Sequence, residues 1–283
     1  MELRSVAALI EASRKMPIWE AILCSDLEED TPEQRAASLE KMQMLWQVMQ
    51  DSAAGYDGSQ RSLSGLSGGD GEKYTQMLSS GKMMCGTYLN DAIATALKVS
   101  ECNACMKRIV AAPTAGSCGV IPAVLIPYRK EYPDTPEEEM LHALYVTGGF
   151  GNIIAERASV SGAEAGCQAE IGSACAMGAA LYAWILGLNN SLIEYAAEMG
   201  LEHNLGLTCD PVGGYVQIPC IERNGYAALR AIDCAIYAKN LGYVRKNKVS
   251  FDAVVNVMKN TGHDLNKAYK ETSLGGLALE FDL

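Results

Sequence analysis

The chain has 283 residues, of which 49% are hydrophobic and 7% aromatic, and its formal net charge is −11. This length and apolar content allow a substantial core, in one large domain or two small ones, and the shortage of aromatic residues disfavours a β-sandwich. The negative charge argues against nucleic acid or an anionic membrane as a partner, because both require a cationic face. We therefore expect a mainly α protein of packed helices with neither of these partners.

The N-terminal segment and the cysteine content indicate a cytoplasmic protein. Residues 1–15 resemble a short amphipathic helix and lack the apolar core and cleavage site of a signal peptide. Ten cysteines do not require a disulfide framework in a chain with this much core. The uncharged run 171–192 contains glycine, serine and asparagine, which favour a buried core helix ending near Asn189 over a membrane span. We expect reduced thiols and a cytoplasmic location.

Helix start signals and apolar stripes predict the elements in chain order. Thr31 to Gln34 form a capping box with proline at the first helical position, before an apolar stripe of Leu39, Met42, Leu45, Val48 and Met49. A second Thr-Pro-Glu-Glu start at Thr135 precedes another apolar stripe. Alternating strand patterns are weak. Further helices are predicted at 87–108, 163–187, 191–203, 222–241 and 250–260.

A segment rich in glycine and serine, 51–71, interrupts this helical pattern. It predicts a linker between an N-terminal helical hairpin (1–55) and a main body (72–283) within a single compact multi-helix domain, 1–283. Its Gly-Leu-Ser-Gly-Gly run at 65–69 fits the GxSxG elbow of hydrolases, but the buried strand that this elbow requires does not precede it. A flexible loop, or a nest of backbone amides for an anion, is the better interpretation.

Other cofactor motifs are weak or missing. Neither GxxxxGK[ST] nor GxGxxG after a strand occurs, so phosphate-bearing cofactors such as pyridoxal phosphate have no clear cradle. The CxxC pair Cys102 and Cys105 lies in a predicted helix with no second pair, which favours two ordinary thiols over a zinc or redox site. Cys24, Cys175 and Cys234 lie on apolar helix faces and are interpreted as core residues.

Three further cysteines lie in stretches rich in glycine and proline, where the backbone is expected to bend. Cys167 follows a glycine, Cys209 precedes Asp-Pro, and Cys220 follows a proline. Three thiolates delivered by loops can hold an iron–sulfur cluster and leave one iron free for a substrate, as in a lyase. The compact ferredoxin spacings do not occur. On the pattern alone, a metal site and ordinary turn cysteines both stay open.

Four longer stretches show a resemblance to a known family: RIVAAPTAGSCGVIPAV, SVSGAEAGCQAEIGSACAMGAA, EHNLGLTCDPVGGYVQIPCIERN and TGHDLNKAYKETSLGGLA. They closely resemble the catalytic, or alpha, part of iron–sulfur-dependent L-serine dehydratases, and the similarity covers nearly the whole chain. The resemblance implies a mostly helical domain with an oxygen-sensitive 4Fe–4S cluster, ligated by Cys167, Cys209 and Cys220, and no pyridoxal phosphate. The implied reaction turns L-serine into pyruvate and ammonia, a step of amino-acid degradation and gluconeogenesis.

Two departures from the family pattern affect the expected partners. Single-chain members carry a regulatory, ACT-like domain ahead of the catalytic part, whereas this chain starts directly in it, so we expect a separate beta chain. Some relatives also have a C-terminal cysteine that approaches the cluster, and the end of this chain, LGGLALEFDL, has none. Self-association into a homo-oligomer is a further expectation. L-cysteine desulfidase and a non-catalytic, cluster-bearing subunit stay open as alternative functions.

The carboxylate of L-serine requires hydrogen-bond donors, and two loops rich in glycine and serine suit that role. The candidate substrate-binding residues are Ser62, Ser64, Gly65, Ser67, Thr114, Gly116 and Ser117, with Asn103 and Asn204 as further polar contacts. His203 and Glu164 are the candidate bases for removing the α-proton, because both lie near the cluster motifs in sequence. A histidine that interacts with a helix dipole is the alternative interpretation of His203.

Overall fold

The computed structural model describes residues 3–81, 84–242 and 247–281. These ranges contain twelve α-helices and no β-strand, so the prediction of a mainly α protein is confirmed. No helix in the same ranges has the length and apolar character needed to cross a membrane. The helices are α1 (Val6–Ala12), α2 (Ile18–Asp26), α3 (Pro32–Ala54), α4 (Asp70–Ser79), α5 (Gly86–Ala104), α6 (Val120–Glu131), α7 (Glu137–Arg157), α8 (Gly162–Ala165), α9 (Ser173–Ile185), α10 (Asn190–Glu202), α11 (Cys220–Leu241) and α12 (Phe251–Asp264).

Helix α9 forms the centre of the core, with α7, α10 and α11 packed around it. Its residues are almost all small or apolar, and eleven of its thirteen are buried. A Cβ atom added at Gly178 would lie 3.1 Å from Cβ of Ala231 in α11, and one added at Gly200 would lie 3.1 Å from Cα of Ala176. Small side chains therefore let three helices approach α9 closely, and this packing buries a large apolar surface.

Most predicted helices occur with shifted ends. The predictions at 191–203, 222–241 and 250–260 correspond to α10, α11 and α12, and the one at 87–108 ends earlier, at the end of α5. The buried helix expected near 171–192 is α9. It ends before Asn189, because Gly187 turns the chain with a φ of +73° and the Asn189 side chain caps α10.

The start signals give a mixed result. The Thr31 hydroxyl accepts a hydrogen bond from the backbone N–H of Gln34 at 3.3 Å, so α3 begins as predicted. The reciprocal half of the capping box does not form, because the Gln34 side chain accepts from the N–H of Glu29 instead. At the second signal, Thr135 does not cap the helix; Pro136 occupies the N-cap position of α7.

The continuous helix predicted over 163–187 is wrong. Gly166 adopts a φ of +78°, and a Cβ atom there would lie 2.9 Å from the carbonyl oxygen of Leu207. This left-handed conformation favours glycine and ends α8 just before Cys167. The chain then makes a π-helical turn, Gln168–Gly172, a geometry that is frequent at functional sites, before α9 begins.

Helix α6 does not follow from sequence pattern, because three prolines interrupt residues 110–127. Pro113 precedes the helix, and Pro122 lies in its first turn, where the backbone N–H groups need no partner inside the helix. Pro127 lies inside α6 and is buried. Two of the three prolines therefore remove no hydrogen bond of α6, and the helix forms despite the third.

The segment between α3 and α4 is anchored by a buried carboxylate. Glu101 on α5 is 1% exposed and accepts backbone N–H groups from Gly68, Asp70 and Gly71 at 3.0–3.1 Å. The Tyr56 hydroxyl donates a further, short hydrogen bond to the same carboxylate. Charge-assisted bonds of this kind are strong, so a segment that composition alone suggests is a flexible linker has a fixed conformation.

The predicted division of the chain is only partly addressed by these helices. The described residues of 1–55 form three helices, α1 to α3, rather than the two helices of a hairpin. A single domain over 1–283, with a main body at 72–283, stays a prediction.

Replacing Glu101 by Gln should loosen this segment. An amide places N–H groups against backbone N–H groups, so at least one buried donor loses its acceptor. We expect the free energy of unfolding to fall by about 2 kcal/mol in urea denaturation. Glu131→Gln, at the exposed end of α6, is the matched control and should leave it nearly unchanged. Equal stability of the two variants would contradict the anchoring role.

Candidate active site

The three cysteines singled out by the sequence are buried at one place. Cys167 lies between α8 and the π-helical turn, Cys209 lies in the segment that follows α10, and Cys220 is the first residue of α11. Their exposed fractions are 1%, 2% and 6%. Three chain segments that are distant in sequence therefore bring their thiols into one water-poor region.

The thiols interact electrostatically. Hydrogen bonding between the Cys167 and Cys209 thiols, together with the nearby charge of Arg223, lowers the pKa of Cys167, while the same interaction raises the pKa of Cys209. Burial raises the pKa of Cys220 to about 12, and the charge of Cys167 acts in the same direction. In the protein alone, Cys167 is therefore the thiol of the three that ionises most readily.

Arg223 on α11 joins the segments that carry these cysteines. Its guanidinium donates to the carbonyl oxygen of Thr208 at 2.7 Å and forms an ion pair with Asp210 at 3.2 Å. It also hydrogen-bonds to the Cys167 sulfur. One half-buried cation thus orients the residues on both sides of Cys209 and favours a negative charge on Cys167.

Two buried amides add further links between these segments. The Gln168 side chain donates to the carbonyl oxygens of Ala165 and Met258 and accepts the N–H of Gly206 at 2.9 Å. On α11, the Asn224 side chain accepts the N–H of Gly119 at 2.8 Å and donates to the carbonyl oxygen of Gly116 at 2.8 Å. The loop at 114–117 is thereby fixed beside the first turn of α11.

Glu170 supplies a carboxylate at the cysteines, and the sequence analysis did not select it. It lies in the π-helical turn, with Oε2 3.9 Å from the Cys209 sulfur and a side-chain hydrogen bond from Thr114. Burial raises the pKa of Glu170, and the nearby charge of Glu271 adds to the shift. A buried carboxyl group whose pKa is raised in this way is suited to acid–base chemistry.

The first predicted substrate loop converges on another residue that the sequence did not reveal. The hydroxyls of Ser62, Ser64 and Ser67 all donate to Oε1 of Gln217, at 2.9, 2.9 and 2.8 Å. Gly65, in the same loop, adopts a φ of +76°. Since Gln217 precedes Cys220 by three residues, this loop lies beside the segment that carries the third cysteine.

The second predicted loop also lies at the site. Thr114 and Ser117 cap each other across a short 3-10 turn, and Ser117 is fully buried. Gly116 faces the carboxylate of Glu170, since a Cβ atom added there would lie 3.6 Å from Oε1. The structure therefore brings both predicted loops and all three cysteines together.

The remaining predicted residues lie farther from the cysteines. His203 is exposed at the end of α10, where the alternative interpretation as a helix-end residue places it. It lines an open cavity of about 500 Å³ with Asn204 and Arg223. Glu164 is exposed on α8, and Asn103 is half-buried in the last turn of α5. Among the described contacts, none joins His203, Glu164 or Asn103 to Cys167, Cys209 or Cys220.

The C-terminal segment reaches Cys209 through its backbone. The N–H of Cys209 donates to the carbonyl oxygen of Tyr269 at 2.8 Å, and the carbonyl of Cys209 accepts the N–H of Glu271 at 2.7 Å. Farther along, the N–H of Leu277 donates to Asp210 at 2.9 Å. The end of the chain therefore covers one side of the site without a cysteine; residues 282 and 283 lie outside the described residues.

The donor set suits an iron–sulfur cluster. No group of three or more His, Cys, Asp or Glu side chains in the described ranges surrounds a single point, as one metal ion would require. In a cluster each thiolate binds a different iron, so the sulfurs need not converge. Gly162 packs closely against this set, because a Cβ atom there would lie 3.0 Å from the Cys209 sulfur and 2.7 Å from Oε2 of Glu170.

Comparison with known proteins identifies the family of the chain. The family model for the serine dehydratase alpha chain matches residues 13–278. The L-serine dehydratase of Streptomyces coelicolor is 51% identical over 184 residues, which are 65% of this chain and 40% of that protein. L-serine dehydratase 2 of Escherichia coli and the L-serine dehydratase of Haemophilus influenzae are 48% and 49% identical over 185 residues, with the same shares.

The matched region thus spans about 40% of the length of these relatives. The family model nevertheless covers nearly all of this chain, including both loops and all three cysteines. The chain belongs to the serine dehydratase alpha chain family.

Proposed function

We propose that this chain deaminates L-serine to pyruvate and ammonia with a 4Fe–4S cluster held by Cys167, Cys209 and Cys220. The observation that carries the proposal is the meeting of three buried thiols with two loops of hydroxyl donors. The names of the relatives, which are L-serine dehydratases, support the choice of substrate. Because the matched region is less than half of those relatives, the activity of the whole protein is part of the proposal.

The reaction needs help at two atoms of L-serine. The α-proton is weakly acidic, and the β-hydroxyl must leave as water. An open iron of the cluster would supply Lewis-acid assistance to the leaving hydroxyl, so no pyridoxal electron sink is required. Loss of the proton and of water yields aminoacrylate, which tautomerises to an imine, and water then hydrolyses the imine to pyruvate and ammonia.

The chain's own residues bind and orient the substrate. The hydroxyls of Ser62, Ser64 and Ser67 are held on one face of their loop and provide donors for the substrate carboxylate. Thr114 and Ser117 lie across the site, next to Glu170. Fixed donors of this kind stabilise a negatively charged group without reorganisation, because the fold has already oriented them.

Glu170 is better placed than the two candidate bases from the sequence to exchange a proton with bound substrate. It contacts Cys209 and Thr114, whereas Glu164 and His203 are exposed and have no contact with the three thiols among the described residues. Geometry is the first requirement for a general base or acid. We therefore assign the proton transfer to Glu170 and give Glu164 and His203 no direct role.

The alternatives share much of this chemistry but have no separate support. An L-cysteine desulfidase would release sulfide in place of water, and steady-state assays with both amino acids distinguish the two activities. A non-catalytic, cluster-bearing subunit would bind iron and would convert neither L-serine nor L-cysteine. Hydroxyl donors placed beside the thiols favour a site that binds substrate.

The expected partners extend the proposal beyond this chain. The relatives are much longer than the matched region, so they contain further parts. We propose that this chain acts together with a regulatory, ACT-like part on a separate beta chain. Self-association into a homo-oligomer and a cytoplasmic location belong to the same proposal.

Replacing any one of Cys167, Cys209 or Cys220 by Ser should remove the cluster. A hydroxyl is a hard ligand and a poor substitute for a thiolate on iron. We expect iron content to fall and serine deamination to drop by about 100-fold or more. Cys105→Ser, at a half-buried thiol away from the site, is the matched control. If Cys105 proves essential and the other three are dispensable, the ligand assignment is wrong.

Replacing Glu170 by Gln tests the proton transfer. The amide keeps the size of the side chain but cannot exchange a proton, so kcat should fall by about 100-fold while iron content stays normal. Glu164→Gln is the paired control and should keep nearly full kcat. A normal kcat in the Glu170 variant, or a large loss in the control, would reverse the assignment.

Exposure to air should inactivate the enzyme, since an iron with an open position is accessible to oxidants. Visible absorbance and activity should disappear together, and anaerobic treatment with iron, sulfide and thiol should restore both. Parallel measurements of absorbance, iron content and pyruvate formation follow the loss and the recovery. Full activity after complete removal of iron, or activity that depends on added pyridoxal phosphate, would refute the cluster mechanism.

A further inference from the structure

The serine loop already holds an oxygen atom that belongs to the protein. Three hydroxyls, those of Ser62, Ser64 and Ser67, donate to Oε1 of Gln217 at 2.8–2.9 Å. Gln217 is 6% exposed, and Ser62 and Ser67 are 5% and 8% exposed. The hydroxyls of Ser62, Ser64 and Ser67 therefore form a largely buried binding site for one oxygen atom, which we call the receptor.

An amide oxygen is a poor match for this receptor. It carries no net charge, whereas three hydroxyl donors point at it. A carboxylate oxygen carries negative charge, and its hydrogen bonds are shorter and roughly twice as strong as those of a neutral acceptor. The receptor is thus better suited to an anionic oxygen than to the group that occupies it.

The Gln217 side chain is attached to a backbone that is itself held in place. The N–H of Gln217 donates to the carbonyl oxygen of Tyr215 at 2.8 Å, and its carbonyl accepts the N–H of Ile221 at 2.9 Å. These bonds tie the residue to the first turn of α11, next to Cys220. A displaced Gln217 side chain would therefore have to rotate while its backbone stays in place.

We infer that the Gln217 amide is an internal occupant of the carboxylate receptor, which the carboxylate of the substrate displaces on binding. Gln217 then sets the affinity for substrate through competition rather than through a direct contact. The inference deepens the proposed function and rests on L-serine being the substrate of this site. It also gives a reason why three hydroxyls converge on Gln217, which lies between Cys209 and Cys220 in sequence.

The size of the effect follows from how often the receptor is free. The apparent dissociation constant equals the intrinsic constant divided by the fraction of molecules in the competent state. An amide that occupies the receptor nine-tenths of the time therefore raises the apparent constant roughly tenfold. Removing the amide should lower the apparent dissociation constant, and an occupant that binds the hydroxyls more strongly should raise that constant.

Two substitutions with opposite expected effects test the inference on the cluster-loaded protein. Gln217→Ala vacates the receptor and should lower KM for L-serine by roughly three- to tenfold. The size of the decrease depends on the fraction of time that Gln217 occupies the receptor. Gln217→Glu places a carboxylate on the same three hydroxyls and should raise KM by tenfold or more. Gln76→Ala and Gln76→Glu, at an exposed position of α4, are the matched controls. Calorimetric titration with D-serine, which carries the same carboxylate, reports binding without turnover and should follow the same order.

A purely structural role gives a different pattern. If Gln217 only orders the loop, the Ala variant raises KM and lowers kcat, and the inference is overturned. Equal KM values in wild type and both variants also overturn it. Misfolding cannot imitate the expected result, because it cannot tighten D-serine binding in one variant. Absence of serine deamination in the wild-type protein would instead refute the proposed function, while D-serine titration would still show whether Gln217 competes for a carboxylate.

Discussion

The candidate site depends on buried polar side chains that satisfy the backbone of the loops around it. Helix breaks are needed to bring cysteines from three segments together, and each break leaves N–H and carbonyl groups that must find partners away from water. Gln168, Arg223 and Asn224 supply those partners around the cysteines, and Glu101 does the same for the serine loop. Without these four side chains, the loops would have no fixed conformation and the thiols no common position.

The same contacts determine what the site can do. Arg223 lies where negative charge on Cys167 is stabilised, which suits a thiol that would ionise to bind a metal. Gly162 and Gly116 let the backbone approach Cys209 and Glu170 closely. The fold thus combines a group of buried thiols with an adjacent group of hydroxyl donors.

The sequence predicts the helices and cysteines of this structure better than it predicts their connections. Apolar periodicity locates α10, α11 and α12, and local Gly and Pro residues mark the three cysteines. The helix break at Gly166 depends on a close approach to Leu207, which lies 41 residues away in sequence and leaves no local pattern. Helix α6 is not predicted because three prolines interrupt the sequence around it, although Pro113 and Pro122 remove no hydrogen bond of the helix.

Polar residues of the site are harder to predict, because their partners are remote in sequence. Gln217 and Ser67 are 150 residues apart, and Glu101 binds N–H groups about thirty residues earlier. Glu164 is chosen from its position next to the cysteine motif, whereas the π-helical turn directs Glu170 toward the thiols instead. The turn itself follows from tertiary packing. Proximity in sequence is therefore a weak guide to proximity in the site.

Mössbauer spectroscopy of the anaerobic protein loaded with ⁵⁷Fe tests the central claim most directly. With the proposed ligand set, one iron of a 4Fe–4S cluster has no protein thiolate, and that iron should respond to substrate. We predict that L-serine shifts the signal of one iron in four toward higher coordination while the other three stay unchanged. Four irons with equivalent signals that do not respond to L-serine would contradict both the ligand set and the substrate site.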